Sequence, residues 1–381
     1  MSMRTLTPSE AELALTPPSV RFPLRVGLYR MRRKIAGWLK RQRRWEFWPP
    51  YVFYPPVVAY VAYLGIRFRS FTLFTATNPA MPASGFVGES KHEILENLKA
   101  AAAYLPHSTL LPKGGPQVRL QAALAFMDEN TLSFPVVLKP DAGQRGFGVS
   151  VVRSLSQMRR YLERATHPII VQEYVGGKEF GLFYVRRPGK ACGRIFSITE
   201  KQMPVVIGDG RRTLEQLILD DDRAVCMADF YLEKNANGRD KVVPSGEKVQ
   251  LVELGTHCRG AIFLDGSYAV TPALEQAIDT LVRAFDGFYF GRFDIRVPSL
   301  DDFIAGRNLK VIELNGVTSE ATHIYDPKHS LWDAYRTLFR QWRIAFEIGA
   351  ANRARGARVS SAKELLSAVL DYRRMSQERS R

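Results

Sequence analysis

Two short apolar segments constrain this chain most: GRFDIRV (291–297) and KVIELNG (310–316) each carry charged or amide residues at alternate positions. In a strand, successive side chains point to opposite faces. Arg292, Asp294 and Arg296 then share one face, and Phe293, Ile295 and Val297 the other. In the second segment Val311, Glu313 and Asn315 share a face, with Ile312 and Leu314 opposite. The link, 298–308, reads as a loop rich in Asp and Gly, so the simplest arrangement is an antiparallel hairpin. If the polar faces coincide, Asp294, Glu313 and Asn315 converge. Two carboxylates and an amide oxygen are hard ligands, suited to a magnesium ion that also binds phosphates. Arg292 would then aim its fixed fork at the same phosphates. The alternative is a half-exposed hairpin with its polar residues outward. Asp, Glu and Asn are poor strand formers, and their placement inside apolar runs favours the functional reading.

Two earlier blocks also suit phosphate and nucleotide. FPVVLKPDAGQRGFGVSVVRS (134–154) is a strand ending in Lys139, a loop with Gly143, Gly146 and Gly148, and a second strand. Three glycines in so short a turn give backbone freedom and amides free to approach an anion. No GK[ST] follows, and the next element is a strand, which excludes a P-loop and a dinucleotide fingerprint. PIIVQEYVGGKEFGLFYV (168–185) runs through Gln172, Glu173, Tyr174 and Val175 to a Gly-Gly turn and re-enters a strand at Glu179. A strand-end linker can bond an adenine edge through its backbone, and a carboxylate just beyond can hold ribose hydroxyls. Alone, this block is only a turn.

Around these blocks helical and strand periods alternate, which makes the class α/β or α+β. Helices are expected near 90–104, 117–129, 155–164, 212–221 and 271–287. Strands are expected at 135–140, 147–153, 168–173, 179–186, 194–199, 290–297 and 309–315. Three cysteines, Cys192, Cys226 and Cys258, are too few and scattered for a disulfide framework, and a reducing, cytoplasmic setting fits. His257 and Cys258, as strand neighbours, would face opposite ways and do not suggest a catalytic pair.

The net charge of +16 resides at the ends. Residues 1–70 hold 13 Lys and Arg against 3 Asp and Glu, residues 340–381 hold 10 against 4, and the stretch between is neutral. That distribution points to tails or helices meeting an anionic surface and gives little support to a nucleic-acid module. Residues 1–23 read as a flexible leader with no apolar secretory core. From Leu24 to Trp38, apolar residues at spacings of 4, 3, 4 and 3 form the stripe of a basic amphipathic helix. Such a helix either packs its stripe on the body or lies on anionic lipid. The aromatic stretch Trp45–Ile66 follows, and its uninterrupted part, 57–66, is about 15 Å long as a helix, too short to span a bilayer. It is expected to be a buried core segment, with interfacial insertion as the alternative. A short terminal helix is expected at 360–375.

Taken together, the strand lysine, glycine loop, strand-end linker with its glutamate, and late Asp…Glu-x-Asn pair resemble the ATP-grasp superfamily of carboxylate–amine ligases. That superfamily includes D-alanine–D-alanine ligase, the glutamate ligases of ribosomal protein tails and the grasp part of cyanophycin synthetase. The resemblance covers roughly 90–330, and VVIGDGRRTLEQLI (205–218) is similar to a stretch of the cyanophycin synthetase branch. It implies an α+β ATP-grasp fold of two subdomains gripping ATP, a small lobe near 130–175 and a large one near 176–345. A basic, aromatic N-terminal region (24–89) and a basic tail (346–381) would flank them. It implies that Lys139 and Lys91 contact phosphates and that 143–148 closes over them. Glu173, Tyr174 and Val175 would form the adenine linker, with Gln172 as the alternative first member, and Glu179 would hold ribose. Asp294, Glu313 and Asn315 would ligate Mg²⁺ or Mn²⁺. Arg292, Lys201 and Arg259 would supply further positive charge. Thr318, Ser319 and His323 resemble a substrate loop in position only. The implied reaction is ATP-dependent ligation of a small-molecule or peptide carboxylate to an amine through an acylphosphate, releasing ADP and phosphate. The alternatives are an ATP-grasp phosphotransferase, or a membrane-surface protein with a regulatory nucleotide site. Dimers are common among such relatives. The expected location is cytoplasmic, with 24–66 offering contact to the inner face of a membrane.

Overall fold

A computed structural model describes residues 23–87, 90–143, 146–253, 255 and 260–378. Its helices in chain order are α1 (Pro23–Arg43), α2 (Pro50–Phe53), α3 (Pro55–Arg67), α4 (Lys91–Asn97), α5 (Pro116–Glu129), α6 (Leu155–Arg164), α7 (Leu214–Asp220), α8 (Ala228–Lys234), α9 (Pro272–Arg283), α10 (Leu300–Ile304), α11 (Leu331–Arg353) and α12 (Ala362–Glu378). Its strands are β1 (Ser108–Leu110), β2 (Val136–Pro140), β3 (Ser150–Val152), β4 (Ile169–Glu173), β5 (Lys178–Val185), β6 (Arg194–Gln202), β7 (Val205–Ile207), β8 (Lys248–Gln250), β9 (Ile262–Asp265), β10 (Phe290–Val297) and β11 (Lys310–Asn315).

The chain forms two compact units. The first joins the residues up to Phe47 with Val205–Leu251; the second joins Trp48–Pro204 with Val252–Arg381. The expected N-terminal region, 24–89, is thus divided at Phe47, and 205–251, expected inside the large lobe, is part of the first unit. In that unit α1 packs beside α7 and the 3₁₀ turn Ala224–Met227, and β7 and β8 form a two-stranded ribbon. Thr213 caps α7 and exchanges bonds with Gln216, a reciprocal arrangement that satisfies two otherwise orphaned amides.

The second unit holds two antiparallel sheets. One has the order β1-β4-β2-β3; the other has the order β11-β10-β5-β6-β9. Leu120, Met127, Met158 and Leu162 of α5 and α6 cover the first sheet through Val136, Leu138 and Val171. Against the second, α9 packs Leu274, Ile278 and Leu281 on Phe180, Leu182, Phe293 and Ile295. Ser154 and Thr271 accept amide bonds at the starts of α6 and α9, where the first N–H groups have no helical partner.

Most expected elements lie where the periodicity puts them. The differences have local causes. The helix expected at 90–104 ends at Asn97 and continues as a 3₁₀ stretch, Lys99–Tyr104. The 298–308 link holds the short helix α10, started by the Ser299 hydroxyl accepting from the Asp302 amide. Helix α11 runs through the expected boundary at 345. The 57–66 segment is helical within α3, but only half buried. Val57 and Leu64 face inward and Tyr60 stacks on Phe339, while Val58, Tyr63 and Ile66 face out. Among the described residues no helix is long and apolar enough to cross a membrane.

Candidate functional site

The site is built on one face of the five-stranded sheet. Strands β10 and β11 pair antiparallel, with Asp294 opposite Glu313 and Arg292 opposite Asn315. The polar faces of the two segments therefore coincide. A bulge follows Asp294, so that Ile295 pairs with Val311 and Ile312 is skipped. The bulge resets the alternation: Val311, expected beside Glu313, is buried in the apolar core with Leu314. It also leaves the Ile312 carbonyl to accept from Lys139 Nζ at 3.1 Å, which ties the end of β2 to β11.

Strand β5 sets Glu179 opposite both Lys201 and Arg296, and Gly181 opposite both Asp294 and Thr199. Gly181 is the open centre of this face. A Cβ there would come within 3.3 Å of Arg292 Cδ, 3.5 Å of Asp294 Oδ1 and 3.6 Å of Lys201 Cε. The absent side chain lets three charged groups converge. Lys201 Nζ lies 2.9 Å from both Glu179 Oε1 and Asp294 Oδ2. Arg292 Nε lies 2.9 Å from Asp294 Oδ1, and its NH1 donates to the Glu320 carbonyl at 3.1 Å. Arg296 holds Glu179 Oε2 at 2.8 Å and donates to the Val175 carbonyl at 3.0 Å.

The electrostatics follow from burial and pairing. Burial opposes charge on Asp294, but Arg292 and Lys201 outweigh it and hold the carboxyl below its ordinary range. Lys201 and Arg292 are likewise buried, yet Asp294 with its neighbouring carboxylates pushes both above their usual values. Lys139 differs. Burial brings it down to about 8, Lys91 adds to the drop, and Glu313 only partly opposes it. Among the described residues Glu313 forms no ion pair, and the Asn315 amide nitrogen is buried without a bond.

The glycine loop follows the end of β2. Gly146 and Gly148 both have φ of +70°, the left-handed region where side chains are strained. Lys91 Nζ donates to the Gly143 carbonyl at 2.6 Å and the Tyr161 hydroxyl to that of Gly148 at 2.6 Å. Lys91, the earlier basic residue that the resemblance assigned to phosphate, is thereby brought to the loop. Asp141 joins it by accepting from Ser90 and from the His92 amide.

The linker residues divide unexpectedly. Glu173 bonds back to β1, its Oε2 accepting from the His107 amide at 3.0 Å. Gln172 is buried on β4, and among the described residues its side-chain oxygen has no partner. Gln172 is thus the linker residue with an open acceptor. Tyr174 lies against the Arg296 guanidinium, 5.9 Å from its ring centre. Glu179, engaged by two cations, keeps further lone pairs for hydroxyls, since a carboxylate offers about four acceptor sites.

The segment after Asn315 is largely committed to its own backbone. Thr318 donates to the Gly85 carbonyl at 3.2 Å, and Ser319 to that of Gly316 at 2.5 Å. His323 is held below its usual value by burial, which the Asp265 carboxylate partly opposes, and its Nδ1 is buried. It neighbours a pair the sequence did not mark, His329 with Asp265 at 2.8 Å, and Thr322 bonds Thr199 on the charged face at 3.0 Å. Register alone could have revealed Thr199, two residues before Lys201. Arg259, with His257 and Cys258, lies outside the described residues.

Hard oxygen donors at Asp294, Glu313 and Asn315 fit a magnesium-type ion. Among the described residues no three His, Cys, Asp or Glu side chains gather around one point. Both Asp294 oxygens already accept from Lys201 and Arg292, so an ion there would share that carboxylate with them.

The site thus combines a lysine at the end of β2, a glycine turn and a charged face shared by β5, β6, β10 and β11. Residues 104–182, which span β1, β2, the glycine loop, the linker and most of β5, match the model of the RimK-like ATP-grasp domain. No curated protein matches the sequence. Among solved structures the chain is similar to D-alanine–D-alanine ligase from Bacillus anthracis, at 13% identity over 72% of each chain with a TM-score of 0.39. It is similar to the VanG D-Ala:D-Ser ligase of Enterococcus faecalis, at 14% identity over 69% of this chain and 64% of that one, with a TM-score of 0.39. A bifunctional glutathione synthetase from Pasteurella multocida is matched at 17% identity over 66% of this chain, with a TM-score of 0.37. The chain spans only 36% of that enzyme's length. Similarities this loose do not bear on substrate.

Proposed function

We propose that this chain is an ATP-dependent ligase that joins a carboxylate to an amine through an acylphosphate and releases ADP and phosphate. The observation that carries the reading is the facing of Asp294 by Glu313 and of Arg292 by Asn315, with Lys201 and Lys139 on the same ground. The physical demand of such a reaction is charge management, because a triphosphate and a carboxylate repel one another. Asp294, Glu313 and Asn315 would hold Mg²⁺, which when bound supplies charge neutralisation at the phosphates. Lys139 and Arg292 add fixed positive charge where the transferring phosphoryl group sits, preorganised by burial and ion pairing. Lys201 holds Asp294 and Glu179 apart and in register. The Gly146–Gly148 turn closes over the phosphates and keeps water from the acylphosphate. Gln172 accepts from the adenine amino group, and the Val175 backbone, held by Arg296, completes the linker. No nucleophilic side chain is needed. The reaction belongs in the cytoplasm, where ATP is available.

Calorimetry of MgATP binding to wild type and Glu313→Gln tests the site. Glu313 is the position to alter, because among the described residues it forms no direct ion pair and acts on the buried Lys139 and Arg292 only through its charge. Metal-dependent binding by wild type and its loss in the variant are expected. Hydroxylamine trapping across a panel of carboxylates then reads the acylphosphate as a hydroxamate. Failure of the wild type to bind MgATP overturns the reading. Phosphate transfer with no trappable acyl species would make the chain a phosphotransferase.

A further inference from the structure

Helix α1 is amphipathic, yet its charged side faces the protein and its apolar side faces out. On the packed side, Gly37 meets Val225 so closely that a Cβ would lie 2.5 Å from the Val225 carbonyl oxygen. Around that contact the inward cations are paired: Arg30 with Glu215, Arg33 with Asp220 at 3.3 Å, Lys34 with Asp229 at 2.6 Å and Lys40 with Asp222. The Tyr29 hydroxyl adds a bond to Asp220 at 2.6 Å. The stripe expected to pack on the body does the reverse: Leu28, Met31, Ile35, Trp38 and Leu39 are each 45–59% exposed. Met31, Ile35 and Trp38 also form one side of an open groove whose other side includes Leu232 and Ala236 of the same unit.

Helical spacing puts Arg32 and Arg43 along one edge of the stripe and Arg41 along the other, all exposed. Glu215, Asp220, Asp222 and Asp229 are each paired with a cation of α1, and Glu233 lines the groove beside the stripe, so the positive rim is the Arg32–Arg43 edge away from that groove. A helix with this cross-section lies in the plane of a membrane interface, its apolar face roughly 5–10 Å deep and its rim on the headgroups. We propose that α1 docks this chain on an anionic lipid bilayer. Charge complementarity selects that occupant: basic residues rim an apolar strip in the most basic part of the chain, and no helix among the described residues can span. The proposal does not depend on the ligase reading.

The test is co-sedimentation of the full chain with vesicles of phosphatidylcholine, alone and mixed with phosphatidylglycerol. Wild type is expected to sediment with the mixed vesicles only. An Ile35→Glu/Trp38→Glu variant should lose binding, with an unchanged circular dichroism spectrum showing the fold intact. Arg32→Gln/Arg43→Gln should lower the partition coefficient about fivefold for each charge removed, and added salt should weaken wild type in the same direction. Absence of phosphatidylglycerol-dependent binding overturns the proposal. So does binding that survives the stripe variant. A wild-type dimer that Ile35→Glu/Trp38→Glu converts to monomer, without lipid binding, gives the stripe to a second copy. Lipid binding that appears only after removal of residues 1–22 gives it to that segment.

Discussion

Lys139 offers the sharpest check on the site, because its environment sets a titration that can be measured without knowing the substrate. Its ammonium is buried, it donates to the Ile312 backbone carbonyl, and its pKa is brought from 10.5 to about 8. The direction of the effect on stability follows. Below pH 8 both folded and unfolded chains carry the charge, and the folded state bears the full penalty of burying it. Between 8 and 10.5 the unfolded chain keeps the proton while the folded chain releases it, so stability rises with pH. A shift of that size corresponds to about 3 kcal/mol, gained at roughly 1.4 kcal/mol per pH unit. Lys139→Met removes the titrating group and nearly conserves its shape. Urea unfolding of both proteins at pH 7 and pH 10 should therefore show a stability advantage for the methionine variant that shrinks by about 2–3 kcal/mol across that interval. Nucleotide binding gives a second reading. If phosphate requires the charged lysine, wild-type affinity for MgADP should fall by up to tenfold per unit above pH 8, while that of Lys139→Met is weak and flat. A pH-independent difference between the two proteins would refute the buried-lysine argument. A falling stability advantage with flat MgADP affinity would refute only its role at phosphate.

Four further outcomes follow from the same packing. Asp294→Asn leaves Arg292 buried without its paired carboxylate and Lys201 with Glu179 alone, and should destabilise the second unit by about 3–5 kcal/mol in urea, far more than Glu313→Gln. Because the Asp294 pKa is depressed, the wild-type cluster contributes fully above the ordinary carboxylate range, and acid unfolding should remove that contribution as pH falls below about 4. Gly181→Val fills the point where Arg292, Asp294 and Lys201 meet; it should cost about 1–3 kcal/mol and abolish MgATP-dependent thermal stabilisation in a differential scanning measurement. Gly177→Ala combines a φ of +86° with a Cβ placed 2.0 Å from the Val297 carbonyl, so little soluble protein should be recovered on expression.

The charged face was legible because it breaks a local rule. Asp294, Glu313 and Asn315 oppose strand propensity inside apolar runs, and a period of two assigns them a side; β10 and β11 pair as that period requires. Lys139 and the glycines were legible for a related reason, since a left-handed turn at Gly146 and Gly148 needs the residue type found there. What failed was information that resides in pairing. Nothing in KVIELNG marks the bulge that buries Val311, because a bulge is a property of two strands. Glu173 and Gln172 are adjacent on one strand, and only the position of β1, too short to show a period, sends the first to the His107 amide and leaves the second open.

The first unit shows the same limit at larger scale. Its two halves lie more than 150 residues apart, and each is locally unremarkable: a basic amphipathic helix, and a capped helix followed by a run of acidic residues. Amphipathicity assigns α1 an apolar face and a charged face but not which one meets the protein. Burial of the apolar stripe is the default, since removing apolar area from water is the larger gain. The default loses here because Glu215, Asp220, Asp222 and Asp229 offer the inward cations partners, while Gly37 lets the helix approach Val225 without a side chain between them. An arrangement that leaves five large apolar side chains in water gives up stability a monomer in solution would otherwise keep. That cost is offset only if the stripe meets a surface elsewhere, and the paired inward face leaves the stripe free to do so.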